Sequence, residues 1–245
     1  MTTAGDEDEG SIWSQRGFVV AAAAVAVIVI LAVALAVSGN DEPSPGAGPK
    51  TPAPKTPTAK ADDAACNTST AGRQKPLTAA PANTKWELLG RIAVPTARRT
   101  YGPARTTGGL RSCFARSAEG ALYAATNINV AATASDRRTQ LAAAKYSFAR
   151  GPGRDAVLAK GFQAPDADGS IQIAGFRFQS YSRSGAVIDL AFKASLDSEA
   201  GYGHLAVAVR WEDGDWRLAV PDTGDTSAGT ESLPDLNGYV RWEGA

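Results

Sequence analysis

Chemistry needs donors, acceptors or nucleophiles that can converge, and this sequence offers few. Its single histidine, His204, lies in the alternating run HLAVAVRW, where Leu205, Val207, Val209 and Trp211 share one face of a strand. His204, Ala206, Ala208 and Arg210 share the other. In the preceding strand Ile188, Leu190 and Phe192 alternate with Val187, Asp189, Ala191 and Lys193, which puts Asp189 on a comparable polar face. A histidine oriented by a carboxylate is an acid–base unit, so His204 and Asp189 are the candidate pocket residues. The alternative is a solvent-facing or merely hydrogen-bonded histidine.

Other carboxylates are less promising. Asp222, Thr223 and Gly224 form a tripeptide that works only when a second copy shares a proton with it, and only a homodimer would supply that copy. Following Pro221, it reads as a turn. Asp166, Asp168 and Gly169 resemble part of a calcium loop, but the frame puts Ala164 and Gly175 where carboxylates are required. There is no phosphate-binding glycine loop, zinc spacing or nucleophile elbow. No catalytic, cofactor-binding or metal-ligating residue is therefore assigned, and neither a cofactor nor enzyme activity is expected.

The elements that must position His204 and Asp189 come late in the chain. After Gly169 the apolar period becomes two, and in IQIAGFRFQSY it slips phase at Ala174 and Gly175, which predicts a long strand bent by a bulge. Ser184 and Gly185 turn it, and Asp213 with Gly214 predict a tight hairpin between Trp211 and Trp216. The last strand carries Trp216, Leu218 and Val220. The tail with Leu233, Leu236, Tyr239, Val240 and Trp242 is too apolar to be free and is expected to pack back onto the domain or a partner.

Helices precede these strands. Ser117 reads as an N-cap with Glu119 in the first turn, and Leu122, Ala125, Ile128 and Ala132 follow at helical spacing. A second helix is expected over 135–148 and a short third one from Pro152, stopped by Gly161. Upstream, Trp86, Leu88, Leu89, Ile92 and Val94 read as one extended segment, and Gly102, Pro103, Gly108 and Gly109 as a loop. Helices followed by an antiparallel meander make an α+β domain over 85–245.

The first 84 residues are of a different kind. Residues 1–17 form an acidic tail with Asp6, Glu7, Asp8 and Glu9. Residues 18–37 are uncharged, and Phe18, Val19, Val20, Val25, Val27, Ile28, Val29, Ile30, Leu31, Val33, Leu35 and Val37 favour membrane insertion by on the order of 5 kcal/mol. Ala34 and Ala36 fit a cleavable signal, but the run is longer than a secretory core. The expectation is a single-pass anchor in the cell membrane.

Residues 38–84 are a linker, with Pro43, Pro45, Pro49, Pro52, Pro54 and Pro57 in its first half. That half, as an extended stalk, would reach about 60–80 Å. Arg16 and the placement of both cysteines, Cys66 and Cys113, beyond the span favour a cytoplasmic N-terminus and an extracytoplasmic domain. There the two cysteines can bond or remain free thiols. With 25 basic and 25 acidic side chains, composition argues for no grip on nucleic acid, and direct nucleic-acid binding is not expected.

Two resemblances add a setting. From residue 113 to 220 the order of helices and strands resembles the cone-shaped nuclear transport factor 2-like fold, also used by periplasmic domains of type IV secretion and conjugation assembly subunits. Ketosteroid isomerase-like members of that fold imply an acid–base use of a pocket pair. Trp86 with AVPT at 93–96, GGLRSCFARSAEGAL at 108–122, RWEDGDWRL at 210–218 and LPDLNGYVRW at 233–242 resemble anchored proteins of actinobacterial integrative conjugative elements. The second resemblance implies a conjugative setting and no catalytic residues; with the anchor, the stalk and the cone-like order it gives the expectation of a structural subunit in contact with other envelope or conjugation proteins, with itself as a possible homo-oligomer. The competing expectation is an exported ligand-binding module or small enzyme.

Overall fold

A computed structural model of the chain describes residue 66 and residues 72–133, 135–161, 170–196 and 199–244. The acidic tail, the apolar run, most of the linker and the Asp166 to Gly169 stretch lie outside the described residues. Among those described, no helix is long and apolar enough to cross a membrane.

The domain opens with two hairpins rather than one strand and a loop. β1 (Lys85–Leu89) and β2 (Ile92–Thr96) pair antiparallel, because Gly90 takes a φ of 62° and reverses the chain within the expected extended segment. β3 (Arg105–Thr107) and β4 (Leu110–Ser112) pair around Gly108 and Gly109, both also at positive φ.

α1 (Ala118–Thr133) starts where Ser117 Oγ accepts the Gly120 N–H at 3.2 Å. Fourteen of its sixteen residues are buried. The helix touches β2, β4, β6, β7, β8 and α2, so it lies between layers and its alanines allow neighbours to approach from every side. α2 (Arg137–Ser147) is capped by Asp136, whose carboxylate accepts the N–H groups of Arg138 and Thr139. α3 (Pro152–Lys160) begins on its proline and ends at Gly161, whose N–H returns to the Val157 carbonyl. Both helices agree with expectation to within about two residues at their ends.

The sheet follows in a meander. β5 (Ser170–Tyr181), β6 (Gly185–Leu196), β7 (Glu199–Glu212) and β8 (Asp215–Ala219) are antiparallel neighbours in that order. The bulge in β5 falls between Ile173 and Gly175, at the phase slip, and a second irregularity lies between Phe178 and Ser180. Asp213 and Gly214 both take positive φ, at 51° and 78°, which closes the β7–β8 hairpin with the twist of its strands. The tail returns twice. β9 (Glu231–Leu233) pairs with β7 at Tyr202 to His204, and β10 (Val240–Arg241) pairs with β5 at Gly175 and Phe176.

The three helices, two hairpins and antiparallel sheet make an α+β domain, and its core lies between helices and sheet. Trp216, Tyr123, Phe114, Phe176, Leu122, Ile188 and Leu190 fill that space and are all essentially inaccessible. Trp242 of the tail closes one end, its ring 4.9 Å from Trp86, 5.5 Å from Phe176 and 5.6 Å from Tyr123. The packed region also begins upstream of the expected linker boundary at residue 84. Leu77 is buried in the core, the Arg73 N–H donates to Glu119, and Thr84 Oγ1 lies 2.7 Å from the Tyr123 hydroxyl. A single leucine inside a Pro- and Ala-rich stretch supplies no period, so its burial was not legible.

Gly120 tests how closely α1 is enclosed. A Cβ there would sit 1.9 Å from the Ala115 carbonyl oxygen, a backbone atom that cannot rotate away. Gly120→Ala should therefore cost about 1–3 kcal/mol despite alanine's better helix propensity. For a domain of this size that lowers Tm by roughly 2–12 °C in thermal unfolding, whereas an unchanged or raised Tm would show that the helix can move away.

Candidate functional site

The structure brings the two pocket candidates together. Asp189 is fully enclosed, and its Oδ1 lies 2.8 Å from His204 Nδ1. Its Oδ2 accepts from Arg177 Nη2 at 2.7 Å and from the Tyr239 hydroxyl at 2.7 Å. Register explains the first contacts. Arg177 stands directly across from Asp189 in the β5–β6 pair, and His204 is diagonal to it, because Asp189 opposes Ala206 and His204 opposes Ala191. Tyr239 arrives from the tail, about fifty positions away, and Arg177 stacks over its ring at 4.8 Å. The second nitrogen of His204 lies 3.9 Å from the Glu231 carboxylate on β9.

The pair does not line the helix side of the sheet. Ile188, Leu190, Leu205 and Val207 occupy that side in the main core. Asp189 and His204 point the other way, as strand alternation requires, onto a small second core of Ala174, Ala191 and Leu236. Tyr202, Leu233 and Tyr239 pack against it. The tail packs against that side and leaves the His204 side chain 20 % exposed. Asp189 fastens β5, β6, β7 and the tail in one hydrogen-bonded cluster.

Burial alone would push the Asp189 carboxyl up, but hydrogen bonds from Tyr239, His204 and Arg177 outweigh it and hold the group below the ordinary carboxylate range. Burial and the adjacent Asp189 carboxylate both push the Tyr239 hydroxyl up. Sequence reading missed Arg177 and Tyr239. Arg177 was accessible through its register opposite Asp189, whereas nothing local pointed to Tyr239.

A second enclosed carboxylate, Asp215, sits at the start of β8. It accepts the N–H groups of Cys113 at 2.8 Å, Phe114 at 2.9 Å and Trp216 at 3.0 Å. Burial pushes its carboxyl up, only partly offset by those N–H groups and by Arg217. Cys113 is bonded to Cys66, their Sγ atoms 2.02 Å apart. The bridge closes a sequence separation of 47, worth up to about 4 kcal/mol in the loop-entropy description.

The remaining sequence features are turns or shallow surfaces. Pro221 and Gly224 close a turn through their backbone, and Lys160 donates to the Thr223 carbonyl. A depression of ≈120 Å³ beside α3 is rimmed by Arg150, Arg154, Arg210 and Asp222, well below the size of a typical small-molecule site. Among the described residues no three His, Cys, Asp or Glu side chains stand close enough to share a metal ion.

The Asp189 cluster makes a signed prediction. Because its folded-state pKa is depressed, its contribution is present above the unfolded value of about 3.9 and is lost as pH falls through the folded value. Asp189→Asn should cost about 2–4 kcal/mol near neutral pH and flatten the loss of stability below about pH 4. Tyr239→Phe should cost about 1–2 kcal/mol. Urea unfolding at a series of pH values reads both, and parallel curves for wild type and Asp189→Asn would remove Asp189 as the acid-sensitive group.

No curated protein and no solved structure matches this chain. The family described as a domain of unknown function, DUF8175, matches residues 47–241, which takes in both cysteines, the helices, the sheet and the returning tail; the chain belongs to that family.

Proposed function

We propose that this protein is a single-pass, membrane-anchored assembly subunit whose extracytoplasmic domain makes protein contacts in a cell-envelope apparatus, a conjugative one of the type IV secretion kind. The apolar run at 18–37 supplies the anchor and the Pro-rich segment the spacer. The Cys66–Cys113 bridge fits an oxidising compartment beyond the membrane. The helices on an antiparallel meander with a bulged first long strand fit a nuclear transport factor 2-like cone.

One observation carries the choice of an assembly role over an enzyme or ligand carrier. A cone that binds a small molecule keeps a cavity between helices and sheet, and here Trp216, Tyr123, Phe114 and Phe176 occupy that space. The one histidine is engaged with Asp189 beneath the tail. What the domain offers a partner is therefore surface.

Crosslinking of intact cells followed by purification of the full chain from membranes tests the role, and covalent species containing other envelope proteins are the expected outcome. Recovery solely as an isolated monomer would reject it. Topology is checked by an impermeant maleimide after an impermeant reductant. Cys66, which is partly accessible, should then label in unbroken cells, and labelling restricted to lysed cells would reverse the orientation.

A further inference from the structure

The zero net charge of the chain conceals an uneven distribution. Between residues 72 and 161, the hairpins and helices carry fifteen Lys and Arg against four Asp and Glu. All four carboxylates are engaged: Glu87 with Arg98 and Arg111, Glu119 with the Arg73 N–H, Asp136 with the start of α2, and Asp155 with Arg154. On α2, Arg137, Arg138 and Lys145 are exposed; at the end of α3 Lys160 is exposed while its Nζ donates to the Thr223 carbonyl, and Asp222 stands beside Arg154 at the start of that helix.

The same two helices carry three of the four exposed large apolar residues among those described: Leu141 at 36 %, Tyr146 at 57 % and Leu158 at 39 %. α2 and α3 are consecutive helices in contact, and the Arg137 side chain reaches the end of α3, its Nη2 3.7 Å from where a Cβ on Gly161 would lie. Lys145 Nζ lies 5.2 Å over the Tyr146 ring.

We propose that the α2–α3 face, with Leu141, Tyr146 and Leu158 set among Arg137, Arg138, Lys145 and Lys160, docks on an anionic lipid surface, that of the membrane holding the protein's own anchor. Long cationic side chains place their stems on apolar ground and their charges at phosphates, while Leu and Tyr side chains enter the headgroup boundary. Nucleic acid would use the cations but gains little from two exposed leucines. The tether also matters, and here the inference rests on the reading of 18–37 as an anchor. The linker sets an outer limit on the domain's distance from the bilayer without fixing its height, so the local lipid concentration is high. Cys113, to which the tether is bonded, follows β4, and β4 packs on α2.

The test uses the full chain with Ala142→Cys as its single free thiol, labelled with an environment-sensitive dye. It is reconstituted in phosphatidylcholine vesicles and in vesicles of roughly one part phosphatidylglycerol to three of phosphatidylcholine. A blue-shifted emission confined to the anionic vesicles, reversed by high salt and weakened about tenfold by Arg138→Glu with Lys145→Glu, is expected. A chain that alkaline carbonate strips from both vesicles overturns the anchor reading and this inference with it. A chain that stays embedded while its dye responds alike in both vesicles overturns this inference alone. A response to duplex DNA over phosphatidylcholine, without one to phosphatidylglycerol, would assign the face to nucleic acid instead.

Discussion

The junction at Asp215 and Trp216 holds the two layers of this domain in register. One carboxylate receives the N–H groups of Cys113 and Phe114, about a hundred positions upstream, and the neighbouring indole donates to the Ala115 carbonyl at 2.8 Å. These residues lie between β4 and α1, where Cys113 has a φ of 66° and the Cys113 and Phe114 N–H groups turn to the carboxylate while that of Ala115 goes to the Tyr101 carbonyl. A neutral amide oxygen could accept two such donors; the two oxygens of a carboxylate accept all three, which offsets part of the cost of burying it. The disulfide closes at the same place, so the chain before the domain, the start of the central helix and the last long strand all meet there.

Everything else is arranged about that junction. α1 can be alanine-rich because it is enclosed on all sides, and close approach of neighbours replaces large side chains as its source of contact. The sheet gives one face to this helix layer and would leave the other to water, were it not for the tail. Tyr239 and Leu236 pack on that face, Tyr239 fastened to Asp189, while β9 pairs along the edge of β7. Two enclosed carboxylates thus hold the domain, one where the tail meets the middle of the sheet and one at the start of β8. Their titration runs in opposite directions, because Asp189 receives side-chain donors, one of them cationic, and Asp215 mainly backbone donors deep in the core.

Much of this was legible because it is local. Alternation marked β5 to β8, the phase slip at Ala174 and Gly175 marked the bulge, and Asp213 with Gly214 marked the hairpin. Ser117, Asp136, Pro152 and Gly161 mark helix ends through capping and φ preference, effects that reach no further than one turn. The hairpin at Gly90 was read as one strand because its two arms are both apolar and the turn contains no pair of turn residues. Composition misled in one respect: a net charge of zero is a sum, and it says nothing of how charges are shared between layers.

By itself the sequence determined which residues share a strand face, where the chain turns, and that one uncharged run is long enough to span a bilayer, because period, glycine and proline act on the backbone nearby. Only the tertiary structure decided what each face meets. Strand period puts Asp189 and His204 together, but it cannot say that a tail fifty residues away arrives to close over them, or that Leu77 joins the core from within the linker. Those outcomes depend on contacts between segments far apart in the chain, whose value lies in shared burial rather than in any local preference.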